Sequence, residues 1–152
     1  MRVRDLMSRK VVTIGTSDSC QEAAARMYGA RVRHLPVVDS EGMLVGIVTD
    51  RDLRHHLFTP KVYRDLGTFS VDTLLKAVPV SEVMSTPVVT TKPDEELLVA
   101  AEEMLEDKVG SLPVVQDGRV VGILTETDLL RQICRADEAC SPECAEVVIS
   151  FP

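Results

Sequence analysis

Two segments of the chain place a hydroxyl and a carboxylate three residues apart, Thr49 with Asp52 and Thr125 with Asp128. A carboxylate has two oxygens, so it can accept both hydroxyls of a vicinal diol such as that of ribose. The threonine can donate to a ribose or phosphate oxygen, and a helix that begins there adds backbone N–H donors that favour an anion. Because Thr and Asp also cap helices, the spacing alone leaves ligand binding and helix capping both open.

The segments around these residues repeat along the chain. Asp5-Leu-Met7 recurs as Glu82-Val-Met84 and His34-Leu-Pro-Val-Val38 recurs as Ser111-Leu-Pro-Val-Val115, both at an offset of 77 residues. The block that begins at Val45 recurs at Val121, an offset of 76. These matches keep register through Gly, Thr, Pro and Asp, which chance similarity between apolar runs would not do. The sequence therefore contains two copies of one structural unit.

Hydrophobic periodicity predicts the elements of this unit. Short β-branched and apolar runs indicate strands, and apolar residues at helical spacing indicate helices. Each copy reads as strand, helix, two hairpin strands and helix: Val11–Thr13, Ser19–Tyr28, Leu35–Val38, Leu44–Thr49 and Asp50–His56 in the first, and Val88–Thr90, Asp94–Asp107, Leu112–Val115, Val120–Thr125 and Glu126–Arg135 in the second. Pro93 and the three acids after it favour a helix start, and Gly29 and Gly110 serve as helix stop signals.

The predicted fold class is α/β, in the α+β sense: two β-α-β-β-α repeats packed as a pseudo-twofold pair, because neither unit can bury a large core alone. The predicted divisions are repeat 1 at residues 1–57, a linker at 58–78, repeat 2 at 79–135 and a C-terminal tail at 136–152. A helix is expected at Val71–Ala77, since connections of this length usually carry structure.

Composition and charge narrow the possible functions. The chain has 152 residues, a net charge of -7, no Trp and 3% aromatic residues, so we expect no nucleic-acid partner. The charge is uneven, at +2 over residues 1–57 and -10 over residues 81–152. No apolar run is long enough to span a bilayer, and the N-terminus lacks the apolar core of a signal peptide, so no membrane partner and a cytoplasmic location are predicted.

The four cysteines, Cys20, Cys134, Cys140 and Cys144, are predicted to be reduced thiols in a chain without a secretion signal. The spacing of the last three is not that of a zinc knuckle, so no metal is predicted, and we expect them to be dispensable for ligand binding. Cys20 falls on the first turn of a predicted helix, where a thiol pKa can be lowered. Its alternative role is that of a small core residue.

The blocks Arg33–Asp39 and Gly46–Asp52, with their counterparts Leu112–Val115 and Gly122–Asp128, resemble the CBS domain, a family named after cystathionine beta-synthase. Two copies form a CBS pair, or Bateman module. The Asp50–Arg54 segment and the long linker look closest to the CBS pair of acetoin-utilisation-type proteins. The resemblance implies a regulatory or sensor module rather than an enzyme. It would bind AMP, ADP, ATP or a related adenosyl ligand between the repeats, form a homodimer and regulate a protein that the sequence does not identify.

The resemblance also implies two clefts and their residues. Cleft one would take polar contacts from Arg33, His34, Thr49, Arg51 and Asp52, and base contacts from Thr90, Val109 and Ser111. Cleft two would take polar contacts from Thr125, Thr127 and Asp128, and base contacts from Thr13, Val32 and His34. Because Gly110 and Ser111 replace Arg33 and His34 in the second repeat, cleft two is expected to have few cations and cleft one to hold the phosphates.

Two other functions remain open at this point. One is an assembly module whose clefts are vestigial, and it differs from a nucleotide sensor in that it would bind no adenosyl ligand. The other is a redox or metal regulator that acts through the cysteines of the tail.

Overall fold

A computed structural model describes residues 1–57 and 71–138 of the chain. The first repeat contains α1 (Val3–Leu6), β1 (Ile14–Gly15), α2 (Cys20–Ala30), β2 (His34–Val38), β3 (Leu44–Thr49) and α3 (Asp50–Leu57). The linker and second repeat contain α4 (Val71–Ala77), a 3-10 turn (Val80–Glu82), α5 (Leu97–Asp107), β4 (Ser111–Gln116), β5 (Arg119–Thr125) and α6 (Glu126–Glu138). This mixture of helices and strands in two similar units confirms the predicted fold class, and α4 covers the range expected for the linker helix.

Each repeat is built on an antiparallel hairpin that begins and ends as the sequence predicts to within one residue. β2 pairs with β3 from His34 opposite Thr49, and β4 pairs with β5 from Ser111 opposite Thr125. The Thr of each Thr–Asp pair is thus the last residue of a hairpin. Gly118 in the second turn has a φ of +76°, which glycine adopts without steric cost.

The first strand of each unit lies later than predicted. Residues 11–13 and 88–90 are not strands; β1 covers Ile14–Gly15 and pairs with β2 in parallel. In repeat 2 the equivalent pairing is a single bridge between Thr91 and Val114. Strand propensity is a preference for packing on a sheet rather than a property of the backbone, and these β-branched residues precede the sheet instead of joining it.

The helix starts differ in how they are capped. Ser19 caps α2 by accepting the Glu22 N–H at 3.1 Å, so this helix begins one residue after the predicted start. By contrast α5 begins at Leu97, and the acids at 94–96 precede the helix instead of filling its first turn. The helix start predicted from Pro93 and these acids is therefore about one turn too early.

The predicted stop at Gly29 is wrong because this residue lies inside α2, whereas the second helix ends at Asp107 as predicted, before Gly110. The last residue of α2 is Ala30, and Arg31 takes the left-handed conformation at a φ of +55°. Lys108 takes the same conformation after α5, at a φ of +54°. The N–H groups of these two residues bond back to helix carbonyls, which ends each helix in the same way without glycine.

The N-terminal segment of each repeat packs on the other repeat. Val3 of α1 is fully buried with Leu112 and Leu124 in the core of repeat 2. Val80 of the 3-10 turn is fully buried in the core of repeat 1, beside Val48. The two repeats therefore exchange equivalent segments, and neither core is complete without the other half of the chain.

Two glycines in the hairpins allow this exchange. A Cβ at Gly46 would collide with the Met84 side chain, and a Cβ at Gly122 would collide with the Met7 side chain. The repeated Met and Gly thus form one contact that occurs twice across the pseudo-twofold axis. The methionine and the glycine of this contact both recur in the repeated segments of the sequence.

Candidate functional site

The first Thr–Asp pair lies where β3 ends and α3 begins. The Thr49 hydroxyl and backbone N–H both donate to Asp52 Oδ2 at 2.8 Å, and the Asp52 N–H donates to Thr49 Oγ1 at 3.1 Å. Reciprocal bonds of this kind form a capping box, which satisfies donors at the helix start. Capping occupies only Oδ2 of Asp52, so Oδ1 remains available to a ligand.

The second pair has the same geometry at the start of α6. The Thr125 hydroxyl donates to Asp128 Oδ2 at 2.6 Å, and the Thr125 N–H donates to the same oxygen at 3.0 Å. Here Oδ1 lies 3.7 Å from the guanidinium of Arg131, whose side chain is exposed whereas that of Asp128 is largely buried. Capping and ligand binding, which the sequence left as alternatives, are compatible because each uses a different carboxylate oxygen.

A backbone hydrogen bond ties each helix start to the residue before the hairpin. The Asp50 N–H donates to the Arg33 carbonyl, and the Glu126 N–H donates to the Gly110 carbonyl, both at 3.1 Å. The Thr–Asp pair and the entry to the hairpin are thus held side by side in each repeat.

Cleft one is a cavity of about 380 Å³ between the two repeats. Its wall contains seven of the eight residues predicted for it: Arg33, His34, Thr49, Arg51, Asp52, Val109 and Ser111. This volume falls within the roughly 300–1,000 Å³ typical of small-molecule sites.

Cleft two lies on the pseudo-symmetric side and is smaller, at about 210 Å³. Its wall contains five of the six residues predicted for it: Val32, His34, Thr125, Thr127 and Asp128. His34 lines both cavities, as the sequence analysis anticipated.

The structure does not bring Thr90 or Thr13 into the cavity wall. Val88 and Val89 line cleft one instead, and Val11 and Val12 line cleft two. The family resemblance alone places Thr90 and Thr13 at the base, and neither residue lies in a strand of the structure.

The expectation that cleft two has few cations is wrong. Lys10, Arg31 and Arg131 line this cleft together with Arg33. They come from segments outside the matched motifs, so comparing motif positions between the repeats missed them. Cleft one likewise gains two cations that the sequence did not assign to it, Arg54 and Lys108.

The left-handed residues explain two of these additions. Arg31 and Lys108 end equivalent helices, and each lines the cleft that holds the Thr–Asp pair of the other repeat. A basic residue directly after both helices was visible in the sequence. It would have indicated a cleft residue only if the left-handed cap had been recognised.

The surroundings of His34 perturb its titration. Burial lowers its pKa below the usual value, and the Arg33 charge lowers it further. The carboxylates of Asp50, Glu126 and Asp52 act in the opposite direction without cancelling the effect. The imidazole is therefore largely neutral at pH 7 in the empty cleft.

Ser111 lines cleft one at the position equivalent to His34, and its residue is only 4% exposed. Its hydroxyl has no hydrogen-bond partner among the described residues. An unpaired buried hydroxyl costs about 1–3 kcal/mol, so a ligand that satisfied it would recover this cost.

The cysteines lie apart from the clefts where they are described. Cys20 is buried in the core of repeat 1, and burial together with Glu82 raises its pKa to about 11, so a reactive thiolate is not expected there. Cys134 is exposed on α6, and Cys140 and Cys144 lie outside the described residues. Over residues 1–57 and 71–138, no group of three His, Cys, Asp or Glu side chains could hold a metal ion, and no helix is long and apolar enough to cross a membrane.

Curated relatives match most of the chain. Protein MJ1404 of Methanocaldococcus jannaschii is 35% identical over 133 residues, which is 87% of this chain and 32% of the relative. A homoserine O-acetyltransferase of Methanohalobium evestigatum is 36% identical over 86% of this chain and 24% of its own length. The chain thus spans a third or less of these larger proteins. It spans 81% of the CBS domain-containing protein YhcV of Bacillus subtilis, with 37% identity over 84% of this chain.

Solved structures share the fold over about nine tenths of this chain. The CBS domain pair of protein MJ0100, in complex with 5′-methylthioadenosine and S-adenosyl-L-methionine, matches with a TM-score of 0.72 and 31% identity over 90% of this chain and 98% of that one. CBSX2 in complex with AMP matches with a TM-score of 0.72 and 28% identity over the same shares of the two chains. The acetoin utilization protein AcuB from Vibrio cholerae matches with a TM-score of 0.71 and 30% identity, over 92% and 95%.

The family model for the CBS domain matches residues 3–59 and 80–135. These two ranges contain both hairpins, both Thr–Asp pairs and the exchanged segments of each repeat. With two tandem copies that enclose a pair of clefts, this chain belongs to the CBS domain family.

Proposed function

We propose that this chain is a regulatory module that binds adenosine nucleotides in the two clefts between its repeats and performs no catalysis itself. The observation that carries the proposal is the pair of aspartates. Each caps its helix through Oδ2 and lines a cavity between the repeats, while its Oδ1 takes no part in the cap. MJ0100 with its two adenosyl ligands and CBSX2 with AMP support the choice of ligand class.

The ribose is the part of the ligand that these aspartates suit. A free carboxylate oxygen accepts hydrogen bonds from the 2′- and 3′-hydroxyls, and a charged acceptor makes these bonds stronger than neutral ones. Loss of either hydroxyl removes one of them. The module should therefore prefer ribonucleotides to deoxyribonucleotides.

Both clefts can also hold a phosphate. Arg51 and Lys108 in cleft one, and Lys10 and Arg31 in cleft two, make no ion pair within the described part of the chain. Charge therefore does not assign the phosphate to one cleft. Volume does favour cleft one for the bulkier nucleotide, because its cavity is nearly twice as large.

Isothermal titration of the full chain with AMP, ADP, ATP and S-adenosylmethionine tests the proposal. Asp52→Ala and Asp128→Ala should each weaken one binding event by about 1.5–3 kcal/mol, a loss of roughly 10- to 150-fold. The matched control is Glu41→Ala, an exposed acid in the β2–β3 turn that lines neither cleft. In the wild type, 2′-deoxy-AMP should bind more weakly than AMP.

Two results would contradict this reading. Equal affinities for AMP and 2′-deoxy-AMP would remove the aspartates from ribose recognition. No binding heat with any adenosyl ligand would favour an assembly module with vestigial clefts.

We further propose that the module forms a homodimer through the helices of repeat 2. Four large apolar side chains are exposed on these two helices and form the proposed apolar patch: Leu98 and Leu105 on α5, and Leu130 and Ile133 on α6. The same helices expose Glu102 and Glu106 on α5, and Arg131 and Arg135 on α6. A second copy related by a twofold axis can pair these opposite charges while it covers the apolar residues.

Light scattering tests the dimer. Leu105→Arg should convert a dimer to a monomer at micromolar concentration, because it places a charge in the buried patch. Tyr28→Arg is the matched control, since Tyr28 is the equivalent residue of repeat 1 and is 88% exposed. A wild-type protein that is monomeric at high micromolar concentration would contradict the proposal.

A further inference from the structure

Four residues line both clefts: Arg33, His34, Gly110 and Glu126. They lie where the two repeats meet, between the two cavities. The other cations that line a cavity each belong to one cleft only, such as Arg51 to cleft one and Arg31 to cleft two. These four residues therefore form one wall that belongs to both clefts, which we call the shared wall.

The shared wall connects the two Thr–Asp pairs. A Cβ at Gly110 would lie 3.4 Å from both Glu126 Oε2 and His34 Nε2, so these side chains face each other across the glycine. His34 is paired with Thr49 in the first hairpin, and Glu126 directly follows Thr125. Each side chain thus adjoins the Thr–Asp pair of one cleft and lines the other cleft as well.

Arg33 is the one cation of this wall that is permanently charged. It is exposed and forms no ion pair with any residue of the described ranges. A guanidinium can bind one phosphate through two parallel hydrogen bonds. In that geometry its donors point toward one of the two clefts at a time. Two phosphate-bearing ligands would therefore compete for it.

We propose that the two clefts are negatively coupled for anionic ligands, because a phosphate bound in either cleft takes Arg33 from the other. This inference rests on the proposed nucleotide binding. The first phosphate removes a cation from the second cleft and adds a negative charge next to it, and both changes disfavour a second anion. An uncharged nucleoside does neither, so adenosine in one cleft leaves the other unchanged.

The coupling is measured by comparing each cleft alone with both together. Asp128→Ala isolates cleft one and Asp52→Ala isolates cleft two, and AMP is titrated into each variant and into the wild type. We expect the second AMP of the wild type to bind at least about fivefold more weakly than it binds the isolated cleft, the lower end of known coupling factors. Adenosine should give the same affinities in the wild type as in the isolated clefts.

Arg33→Gln tests whether this residue carries the coupling. Both AMP affinities should fall, and the coupling factor should approach one. Arg51→Gln is the matched control, because it should weaken AMP in cleft one while the coupling factor persists. Arg33→Lys keeps the charge without the fork and should retain part of the coupling, which guards against a folding defect in Arg33→Gln.

The outcomes separate this inference from the function on which it rests. AMP affinities in the wild type that equal those of the isolated clefts would overturn the coupling and leave nucleotide binding intact. Coupling of the same size in Arg33→Gln would overturn the role of Arg33. No heat in the wild type from adenosine, AMP, ADP, ATP or S-adenosylmethionine would overturn the coupling and the proposed function together.

Discussion

Both repeats have a Thr–Asp cap at the end of the same hairpin, but they differ at two equivalent positions, one in the core and one at the start of the hairpin. Ile14 of repeat 1 is buried in an apolar core, whereas the equivalent Thr91 of repeat 2 is buried with a hydroxyl that has no partner. His34 lines both clefts, whereas the equivalent Ser111 lines cleft one. The Thr–Asp hydrogen bonds differ by no more than 0.2 Å between the repeats.

The comparison shows which positions a duplicated fold can vary. Leu35 and Leu112 are both fully buried at equivalent places in the hairpin, where a change of volume would leave a cavity or a clash. Arg33 and Gly110 are also equivalent, but they line the clefts instead of a core. Packing imposes no such limit there, so the residue at this position can differ in charge between the repeats.

Substitutions at the equivalent buried residues Ile14 and Thr91 test the difference between the two cores and should give the largest change in stability. Ile14→Thr places an unpaired hydroxyl in the apolar core of repeat 1 and removes packing, so it should lower the free energy of unfolding by about 3 kcal/mol. Thr91→Val removes the unpaired hydroxyl of repeat 2 at nearly constant side-chain shape. It should raise the free energy of unfolding by about 1 kcal/mol. Urea unfolding measures both. If both variants lowered the free energy of unfolding, the hydroxyl of Thr91 would have a hydrogen-bond partner in solution.

The exchanged segments give a second, smaller effect. Gly122→Ala and Gly46→Ala both add a methyl group against a methionine, and such overpacking costs about 1–3 kcal/mol. Gly122→Ala should cost more, because a Cβ there would also lie 3.2 Å from the Ser8 carbonyl, which cannot rotate away.

Shortening the methionine provides the control for this difference. Met84→Ala should offset most of the destabilisation of Gly46→Ala, whereas Met7→Ala should offset only part of that of Gly122→Ala. Urea unfolding of the single and double variants gives the interaction energies. Full recovery in both repeats would show that Ser8 imposes no constraint.

The sequence predicted the hairpins and the Thr–Asp caps because local spacing determines them, whereas the cleft residues were predicted from the family resemblance. Thr49 and Asp52 are three residues apart on one chain segment, so their contact needs no knowledge of the fold. Lys10 lines cleft two through the path of a segment without regular structure. Its place depends on the exchange between the repeats, a long-range arrangement that periodicity does not report.

His34 gives the last and smallest effect, a pH dependence that repeat 2 lacks because Ser111 does not titrate. Burial, followed by the Arg33 charge, places the folded-state pKa of His34 below its unfolded value. The unfolded chain then binds a proton that the folded chain does not bind. Stability should therefore be lost as pH falls below about 6.5, until the pH has passed the folded-state pKa.

Urea unfolding between pH 7.5 and 5.5 measures this dependence of stability on pH, and His34→Gln should flatten its slope. A phosphate bound near Arg33 favours the imidazolium, so saturating AMP should raise the pKa of His34 and shrink the loss. A slope that survives in His34→Gln would assign the proton uptake to other groups and remove the electrostatic difference between the two hairpin entries.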